Sequence, residues 1–336
     1  MKRFKFVILF SLSFLIHRRA NAQVFTIDFK SNINPIGFIK TEKTILLVTD
    51  TAFFELDKKA KMWKSIQFFK EKIKTATVSK NRIWIGSSKG LFYQDDKNPM
   101  TVWTGINEGK LDVLALKTHP STQELLVSTA DDGAFSLNDN ALNKTLVAYI
   151  RAEDACSCGS FDWIGTNAGL LRIDKKGVIQ TYVEEGVGGF EIPDNLVDRL
   201  YCPDGKHLLV VMGEALAYLE ADEKKVSSHA EGFEFLGKRG NKIFDEVMTP
   251  EGDFLFLTQD GLILMRRDEL AEQHEHGATI EVYSNAGKPK ISKFKPPTLP
   301  NDVWLKGHFD DSGALWLASS KRLFKLSKKE LKDLLK

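Results

Sequence analysis

Three cysteines could form a disulfide or bind a metal: Cys156, Cys158 and Cys202. Cys156 and Cys202 each precede an anchor of the repeat described below by seven residues, which predicts equivalent positions in neighbouring repeats. Other repeats fill this position with Ile39, Met248 and Phe309. The pattern therefore favours buried thiols over a Cys156–Cys202 disulfide, and Cys158 stays unpaired in either case. Zinc is not expected, because a second ligand pair at usable spacing is lacking.

A second candidate is the tripeptide His274-Glu275-His276, which invites a metal interpretation. Histidines at i and i+2 would share a face only in a strand. The polar stretch that leads to them and Gly277 after them are typical of a turn or a helix. We therefore predict a solvated loop, with no metal and no cofactor.

The stretch from Asp311 to Trp316 has the spacing D-x-G-x-x-W, which resembles the core of the sialidase Asp-box. That box is a folding element at a hairpin turn and carries no catalysis by itself. A sialidase would also need a basic triad and a Tyr–Glu nucleophile pair, which the sequence does not supply. We therefore expect a protein that is not an enzyme.

The remaining candidates are basic and aromatic residues in three long segments between repeats, 184–195, 232–240 and 284–301. The last segment has 18 residues, and a loop of that length without a strand is unusual unless it is functional or disordered. Lysines beside an aromatic ring could bind an anionic sugar, a lipid head group or an acidic protein surface, whereas the alternative is a proline-stiffened spacer. The predicted binding residues are Phe190, Lys238, Arg239, Lys288, Lys290, Lys293, Phe294 and Lys295.

The elements that position these residues belong to a repeat. Residues 82–94 (RIWIGSSKGLFYQ) and 161–174 (FDWIGTNAGLLRID) are nearly the same string, and weaker copies occur along the chain. Such periods, about 45 residues here, are typical of solenoids and propellers. The anchor positions of the seven copies are Leu46, Trp84, Leu126, Trp163, Leu209, Leu255 and Trp316.

Each copy has the pattern of a tight β-hairpin, with short runs of β-branched and aromatic residues around a polar turn. Gly90 and Gly169 suit the turn, whereas Gly86 and Gly165 lie inside strands, where glycine usually marks a close approach of a neighbour. Further strands flank each hairpin, such as residues 279–283 behind the sixth, so four antiparallel strands per repeat are predicted, as in a propeller blade.

The sequence thus predicts an all-β fold: one seven-bladed β-propeller over residues 23–336. The last hairpin lacks a fourth strand, and the segment Val24–Phe29 has no blade of its own. We predict that the two pair and close the ring, which leaves no open edge. Ser327 and Glu330 have capping-box spacing, which predicts a short C-terminal helix.

The pattern D-G-x-x-W-[IL]-x-[ST]-x-x-G-L, with LPNDVW at 299–304 and IPDNLVDRL at 192–200, resembles the two-component-regulator propeller repeat. The resemblance covers most of the chain and is strongest in three copies. It implies a propeller like the periplasmic ligand-sensing heads of hybrid histidine kinases of the Bacteroidetes type, and similar propellers occur in type IX secretion components. A second propeller, a kinase and a sorting domain are not recognisable here, so a signalling role would need a partner.

The N-terminus predicts export. Lys2, Arg3 and Lys5 precede the apolar run 6–16, and Ala20-Asn21-Ala22 has the form of a signal-peptidase site. Removal of residues 1–22 takes away five basic and no acidic residues, which changes the formal net charge from +2 to −3. A near-neutral protein has no electrostatic reason to bind nucleic acid. No other stretch is long enough to span a membrane.

From these features we expect an exported, non-catalytic binding or scaffolding propeller in the periplasm or at the outer membrane or cell surface. Its partner would be an envelope protein or a glycan or glycolipid, and the protein would be a monomer or part of a hetero-complex. Two alternatives stay open. One is a sensor head that acts with a separate histidine kinase. The other is a lyase, lactonase or glycosidase, although no predicted strand offers an obvious set of carboxylates converging on the channel.

Overall fold

The computed structural model describes residues 25–29, 32–42, 44–57, 62–95, 104–106, 111–138, 141–187, 190–213, 215–222, 228–230, 242–259, 261–265, 292–294 and 302–334. These residues form seven antiparallel sheets of four strands each and one helix, α1 (Lys328–Leu334). No helix in the described ranges is long and apolar enough to cross a membrane.

The sheets are numbered 1 to 7 along the chain. Sheet 1 contains β2 (Pro35–Lys40), β3 (Ile45–Thr49), β4 (Ala52–Asp57) and β5 (Met62–Phe68). Sheet 2 contains β6 (Ile73–Ser79), β7 (Arg82–Ser87), β8 (Gly90–Asp95) and β9 (Thr104–Ile106). Sheet 3 contains β10 (Val113–Thr118), β11 (Leu125–Thr129), β12 (Ala134–Asn138) and β13 (Ala141–Val147). Sheet 4 contains β14 (Ala152–Cys158), β15 (Phe161–Thr166), β16 (Gly169–Ile173) and β17 (Ile179–Tyr182).

The later sheets follow the same order. Sheet 5 contains β18 (Arg199–Tyr201), β19 (His207–Met212), β20 (Ala215–Glu220) and β21 (Ser228–Ala230). Sheet 6 contains β22 (Ile243–Met248), β23 (Phe254–Thr258), β24 (Gly261–Met265) and β25 (Ser292–Phe294). Sheet 7 contains β26 (Lys306–Phe309), β27 (Leu315–Ala318) and β28 (Arg322–Leu326), and its fourth strand is β1 (Phe25–Asp28).

The first strand of the chain pairs with the last one, as the sequence predicts. β1 runs antiparallel to β28, with Thr26 opposite Phe324 and Ile27 opposite Leu323. The first strands of consecutive sheets also contact one another, β18 and β22 through the ion pair of Arg199 and Glu246, and β26 of sheet 7 contacts β2 of sheet 1. The two ends of the chain therefore meet in one sheet.

The seven anchor positions hold large apolar residues because the anchors pack between sheets. Each anchor is buried in the second strand of its sheet, and each packs in the apolar cluster between its own sheet and the next. Trp316 of sheet 7 follows the rule by packing edge-on against Trp63 of sheet 1, with ring centroids 5.6 Å apart. Side chains alternate along a strand, so one strand supplies residues to the clusters on both sides.

The strand glycines Gly86 and Gly165 lie two residues after their anchors and face the same neighbour. A Cβ on Gly86 would lie 2.4 Å from Val113 Cγ1, and one on Gly165 would lie 2.6 Å from Val197 Cγ1. The predicted close approach is therefore confirmed, although it comes mainly from a valine side chain and not from backbone. Both valines lie at the start of the next sheet.

The predicted hairpin turns are also present. Ser87 pairs with Gly90 and Thr166 pairs with Gly169, so each turn has two residues. Gly90 and Gly169 have φ of 126° and 115°, a region that side-chain-bearing residues avoid.

The outer strand of sheet 6 is not where the sequence places it. We predicted residues 279–283, which lie outside the described residues, whereas the strand that pairs with β24 is β25. The segment 284–301 was therefore wrongly predicted to lack a strand. Its residues 291–295, Ile-Ser-Lys-Phe-Lys, have apolar side chains three positions apart and not the alternation of a strand, and prolines lie nearby, so the sequence gives no strand signal here.

The capping box that the sequence predicts begins α1. Glu330 Oε2 accepts the backbone N–H of Ser327 at 2.7 Å, and the Glu330 N–H donates to Ser327 Oγ at 3.3 Å. Leu331 is buried in the cluster between sheets 6 and 7. The helix thus covers the end of that cluster.

The sheets present two different faces. On the first, the turn between the second and third strands bonds to a connection between sheets. Ala130 N–H donates to Asp112 O and Gln259 N–H to Lys242 O, both in the segment that enters the same sheet, and Gly169 N–H donates to Asn195 O in the segment that leads to the next sheet. We call this the connection face. We call the other side the opposite face. There the turns between the first and second strands of neighbouring sheets meet, for example at the hydrogen bond between Ser79 and Gln123.

Candidate functional site

Most of the basic residues predicted to bind a partner lie outside the described residues. These are Lys238, Arg239, Lys288, Lys290 and Lys295. Lys293 and Phe294 belong to β25, where they pair with Ile263 and Leu262. They thus occupy a strand and not the predicted loop, and their role in binding stays a prediction.

The connection from sheet 4 to sheet 5 is described at 184–187 and 190–195, and its backbone is held at several points. The Val183 N–H donates to Phe190 O at 3.2 Å, and the Ile192 N–H donates to Val183 O at 3.1 Å. Asn195 Oδ1 accepts the N–H of Glu184 at 2.9 Å. These bonds hold the described ends of the loop against the end of β17, the fourth strand of sheet 4.

Phe190 is the one predicted binding residue whose surroundings are described. Its ring packs edge-on against Tyr182, with centroids 5.4 Å apart, and it is partly buried against the cluster between sheets 4 and 5. Phe190 therefore anchors the connection. The residues that this connection presents to solvent are different ones.

Three large apolar side chains are exposed on this part of the connection face. Tyr149 is 93% exposed, Val187 81% and Leu196 42%. Tyr149 also has φ of 58°, which aromatic residues rarely adopt. Sequence reasoning missed all three, because an isolated Tyr, Val or Leu in a loop does not differ in sequence from one that packs inward.

The backbone brings these residues to one rim. Tyr149 lies just before β14, whose residue Ala152 pairs with Thr166. The Thr166 carbonyl accepts the N–H of Val197 at 2.9 Å, the residue after Leu196. The turn of sheet 4 therefore lies between the segment that carries Tyr149 and the segment that carries Leu196. We call the exposed residues of 149–151 and 184–196 the sheet 4 rim.

The charge near the sheet 4 rim is negative. Its exposed carboxylates and those of the adjacent turn of sheet 3 belong to Asp131, Asp132, Glu184, Glu185, Glu191 and Asp194. The described cation among them is Arg151, whose guanidinium pairs with Glu153 at 2.5 Å. This surface is therefore suited to a basic partner, whereas the sequence had indicated a basic surface for an acidic one.

A second group of polar residues joins the first strands around the axis. In sheets 2, 4 and 6 a side chain accepts a backbone N–H from the first strand of the next sheet. Thr75 Oγ1 accepts from Leu116 at 3.2 Å, Asp154 Oδ2 from Leu200 at 2.9 Å and Asp245 Oδ2 from Gly307 at 2.9 Å. The acceptors lie at equivalent positions, directly after a register shift in the strand. Inner edge strands have unpaired N–H groups, and these side chains satisfy them.

Three ion pairs join first strands at the junctions of sheets 3 and 4, 5 and 6, and 6 and 7. Lys117 Nζ lies 2.6 Å from Asp154 Oδ2, Arg199 Nε 2.8 Å from Glu246 Oε2 and Lys306 Nζ 3.0 Å from Asp245 Oδ1. Each pair joins two different sheets. Burial alone would lower the pKa of Lys117, but the charge of Asp154, the hydrogen bond to it and more distant groups together outweigh burial, and the pKa is raised. The Lys117 ammonium therefore stays ionised.

These carboxylates are a set that sequence reasoning missed. Glu246 of sheet 6 contributes to the pKa of Lys117 of sheet 3, so the groups converge near the axis. The carboxylates of Asp154 and Glu246 are only 4% and 6% exposed, whereas the cations paired with them are about a third and a quarter exposed, at 32% and 27%. The negative charges are thus enclosed and neutralised, as in structural ion pairs.

The cysteines depart from the sequence prediction. The disulfide joins Cys158 to Cys202, and the free thiol is Cys156, which is buried. The assumed equivalence fails because Tyr201, and not Cys202, lies opposite the anchor Leu209, whereas Cys156 does lie opposite Trp163. The same one-residue offset places Val247 and His308, and not Met248 and Phe309, opposite their anchors. Burial raises the pKa of the Cys156 thiol to about 12, so this thiol is a packing group.

The Asp-box-like turn is organised by Asp310, one residue before the predicted Asp311. Asp310 Oδ2 accepts the Trp316 indole N–H and a Lys325 N–H, both at 2.9 Å, and Oδ1 accepts the N–H of Ser312 at 2.9 Å. Asp311 instead forms an exposed ion pair with Lys40. Burial opposes ionisation of Asp310, but these hydrogen bonds outweigh it and lower its pKa. The turn is a folding element, as the sequence predicts.

The described residues contain no group of three or more His, Cys, Asp or Glu side chains placed to hold a metal ion. His274 and His276 lie outside the described residues, so the loop predicted for them stays a prediction. The signal peptide predicted over 1–22 lies outside them too.

No family model matches the chain, and no curated protein is similar to it in sequence. Solved structures are similar in fold. The extracellular domain of a hybrid two-component system from B. thetaiotaomicron matches with a TM-score of 0.64 at 13% identity, over 90% of this chain and 39% of that chain. This chain thus spans about two fifths of that protein domain.

Two further neighbours have quite different roles. The WD40 β-propeller domain of Doa1 matches with a TM-score of 0.64 at 12% identity, over 90% of this chain and 97% of that one. Streptogramin B lyase matches with a TM-score of 0.63 at 13% identity, also over 90% and 97%. At such identities the likeness establishes the fold alone, which is an all-β propeller. The neighbours include the class of sensor domain that the repeat pattern resembles.

Proposed function

We propose that the chain is an exported, closed, seven-bladed propeller that acts as a non-catalytic binding or scaffolding module of the bacterial envelope. Three observations support the closed ring. Apolar clusters lie between every two consecutive sheets, one of these clusters joins sheet 7 to sheet 1, and β1 completes sheet 7. Export is supported by the N-terminal sequence, and fold neighbours include extracellular domains.

The observation that carries the binding function is the sheet 4 rim. It exposes Tyr149 and Val187 almost fully on a connection whose backbone is already bonded in place. Exposed apolar side chains ringed by polar groups are typical of protein–protein contacts. A preordered loop loses little conformational entropy on binding. The partner is therefore a polypeptide with apolar and basic residues. Lys238, Arg239 and the lysines of 288–295 form a second proposed contact region.

A non-catalytic role is supported by the groups near the axis. The carboxylates of Asp154, Asp245 and Glu246 each pair with a cation from another sheet. A general acid or base needs a proton that it can exchange with a substrate, whereas these groups hold the sheets together. In the sensor alternative, the same surface binds a separate histidine kinase as its polypeptide partner. The fold of the two-component neighbours favours this alternative.

The test is native co-purification with matched variants. Tyr149→Asn and Val187→Ser together remove the exposed apolar groups, and asparagine tolerates the positive φ at residue 149. Val178→Ser is the control, because Val178 is 63% exposed but lies in the turn between β16 and β17, away from the connection face.

We expect one stoichiometric envelope protein to co-purify with the wild type and the control and to be lost from the double variant. Replacement of Lys288, Lys290, Lys293 and Lys295 by Ser tests the second region in the same assay. Equal capture by the wild type and the rim variant would overturn the role of the sheet 4 rim. The absence of any stoichiometric partner would overturn the scaffold function.

A further inference from the structure

A cavity of about 340 Å³ opens on the opposite face, between the turns of sheets 1, 2 and 3. This volume is at the lower end of the range of about 300–1,000 Å³ that is typical of small-molecule sites. The residues that line it are Lys40, Thr41, Glu42, Val78, Asn81, Ile83 and Gln123. The cavity is separate from the connection face and from the axial ion pairs.

The polar groups of the cavity are available for a ligand. Within the described part of the chain, the Asn81 side-chain amide has no hydrogen-bond partner, and the Glu42 carboxylate is exposed without an ion pair. The Gln123 amide donates one bond, to Pro120 O at 3.2 Å, which leaves its carbonyl oxygen open. The cavity therefore offers a carboxylate and two amides, a mixture of acceptors and donors.

The remaining lining determines the charge of a suitable ligand. The Lys40 ammonium already pairs with Asp311 at 2.6 Å, so among the described lining residues Glu42 carries the uncompensated charge. An anion would be repelled by Glu42. The half-buried side chains of Val78 and Ile83 supply an apolar wall that a hydrated small cation would not use. A neutral molecule with several hydroxyl groups and a C–H surface fits both features.

The backbone holds the amide residues in unusual conformations. Of the four non-glycine residues with positive φ in the described ranges, three lie in the two turns that border the cavity: Lys80, Asn81 and Gln123, with φ of 48°, 60° and 58°. The two turns are tied together, since Ser79 Oγ donates to Gln123 O at 2.6 Å. Ser79 pairs with Arg82, so Lys80 and Asn81 form a two-residue hairpin turn, which requires positive φ at both residues. The bond between the two turns fixes the positions of Asn81 and Gln123 relative to each other.

We infer that this cavity is a binding site for a neutral sugar, with Asn81, Gln123 and Glu42 bonding its hydroxyl groups and with Val78 and Ile83 against its C–H face. Hydroxyl donors bind the Glu42 carboxylate, and the amides bind neighbouring hydroxyls through both donor and acceptor atoms. The inference does not depend on a protein partner, because the sheet 4 rim lies on the connection face.

The test measures binding of neutral methyl glycosides of glucose, mannose and galactose to the full exported chain, by saturation-transfer NMR and calorimetric titration. Glucuronate and choline are the charged probes. Asn81→Gly removes the amide while tolerating positive φ, and Glu42→Gln removes the charge. Ser160→Gly is the control, because Ser160 is an exposed turn residue on the opposite face of sheet 4.

We expect at least one neutral glycoside to bind the wild type and the control, and its affinity to fall about tenfold in each of the two cavity variants. Melting temperatures of all four proteins should agree, which excludes a folding effect. The inference is overturned if no neutral glycoside binds, if glucuronate or choline binds more tightly than the glycosides, or if Asn81→Gly and Glu42→Gln bind as the wild type does.

Discussion

Gly165 lies directly against Val197: a Cβ on the glycine would be 2.6 Å from Cγ1 of the valine and 3.1 Å from its carbonyl oxygen. The two residues belong to different repeats, so this contact sets how closely sheet 4 and the start of sheet 5 approach each other. Trp163, two residues earlier, packs in the cluster on the same side. In the W-x-G pattern, both the tryptophan and the glycine thus contribute to the contact between neighbouring sheets.

The first prediction concerns this contact. Gly165→Ala should lower the free energy of unfolding by about 1–3 kcal/mol, because the added methyl group overpacks the interface. Val197→Ala in the same chain should recover part of the loss. Chemical denaturation with a double-mutant cycle measures both. Gly37→Ala is the control, since a Cβ there meets nothing within 4 Å, and it should be close to neutral. Additive losses at Gly165 and Val197 would contradict the contact.

The second prediction concerns the link between sheets 3, 4 and 5. Asp154→Ala removes the partner of Lys117 and the acceptor of the Leu200 N–H. Loss of one partner of a buried pair leaves an uncompensated charge, so we expect destabilisation of about 3 kcal/mol. Asp154→Asn keeps an oxygen acceptor and should cost less.

Its control is the exposed pair of Lys40 and Asp311, whose side chains are 54% and 81% exposed. Asp311→Asn should change the free energy of unfolding by less than about 1 kcal/mol. Equal effects of Asp154→Ala and Asp311→Asn in denaturation experiments would show that the axial pair does not tie the sheets together.

The sequence predicts those features that depend on local periodicity. The anchors, the strand glycines and the capping box of Ser327 and Glu330 follow from spacing along the chain, and all of them are present in the structure. The contact of Asp154 with Leu200 joins residues 46 positions apart, and a single sequence carries no local signal for it.

The register of the cysteines could not be predicted for a related reason. The connection between β18 and β19 is one residue longer than the spacing of Cys156 and Trp163 suggests, and one residue exchanges the two faces of a strand. The exposure of Tyr149 depends on the conformation of the connection between sheets 3 and 4, and the spacing of residues in the sequence does not determine that conformation. Contacts between repeats could therefore be predicted where the residues on both sides belong to the repeat pattern. The sheet 4 rim does not belong to that pattern, so it could not be predicted.

The third prediction distinguishes the disulfide in the structure from the one considered in the sequence. Alkylation of the denatured, unreduced protein should label Cys156 alone, and a peptide map should link Cys158 to Cys202. In the native protein Cys156 should react slowly, because burial raises its pKa to about 12. Replacement of Cys158 and Cys202 by Ser should cost about 2–4 kcal/mol. Labelling of three thiols, or a link that contains Cys156, would refute the assignment.

The fourth prediction concerns acid stability. The folded-state pKa of Asp310 is lowered, so the folded protein binds fewer protons than the unfolded chain. The stabilisation is therefore present above the ordinary carboxyl pKa of about 4 and is lost as the pH falls towards the lower folded-state value. Melting temperatures between pH 7 and pH 2 should fall more steeply for the wild type than for Asp310→Asn. Asp311→Asn is the matched control and should follow the wild type. Parallel curves for wild type and Asp310→Asn would refute the prediction.

The last prediction concerns closure of the ring. Ile27 of β1 packs against the cluster between sheets 7 and 1, whereas its neighbour Asp28 is exposed, with a side chain 72% accessible. Ile27→Asp should therefore detach β1 from β28, expose the edge of sheet 7 and loosen its junction with sheet 1. Hydrogen exchange should rise in β28 and β3 and stay unchanged in β15, which lies far along the ring. Asp28→Ala removes an exposed ion pair with Arg322 but no apolar contact, and such pairs contribute little, so exchange should stay close to that of the wild type. In the closed ring that we propose, β1 holds this seam, so a uniform rise across all seven sheets would contradict closure by β1.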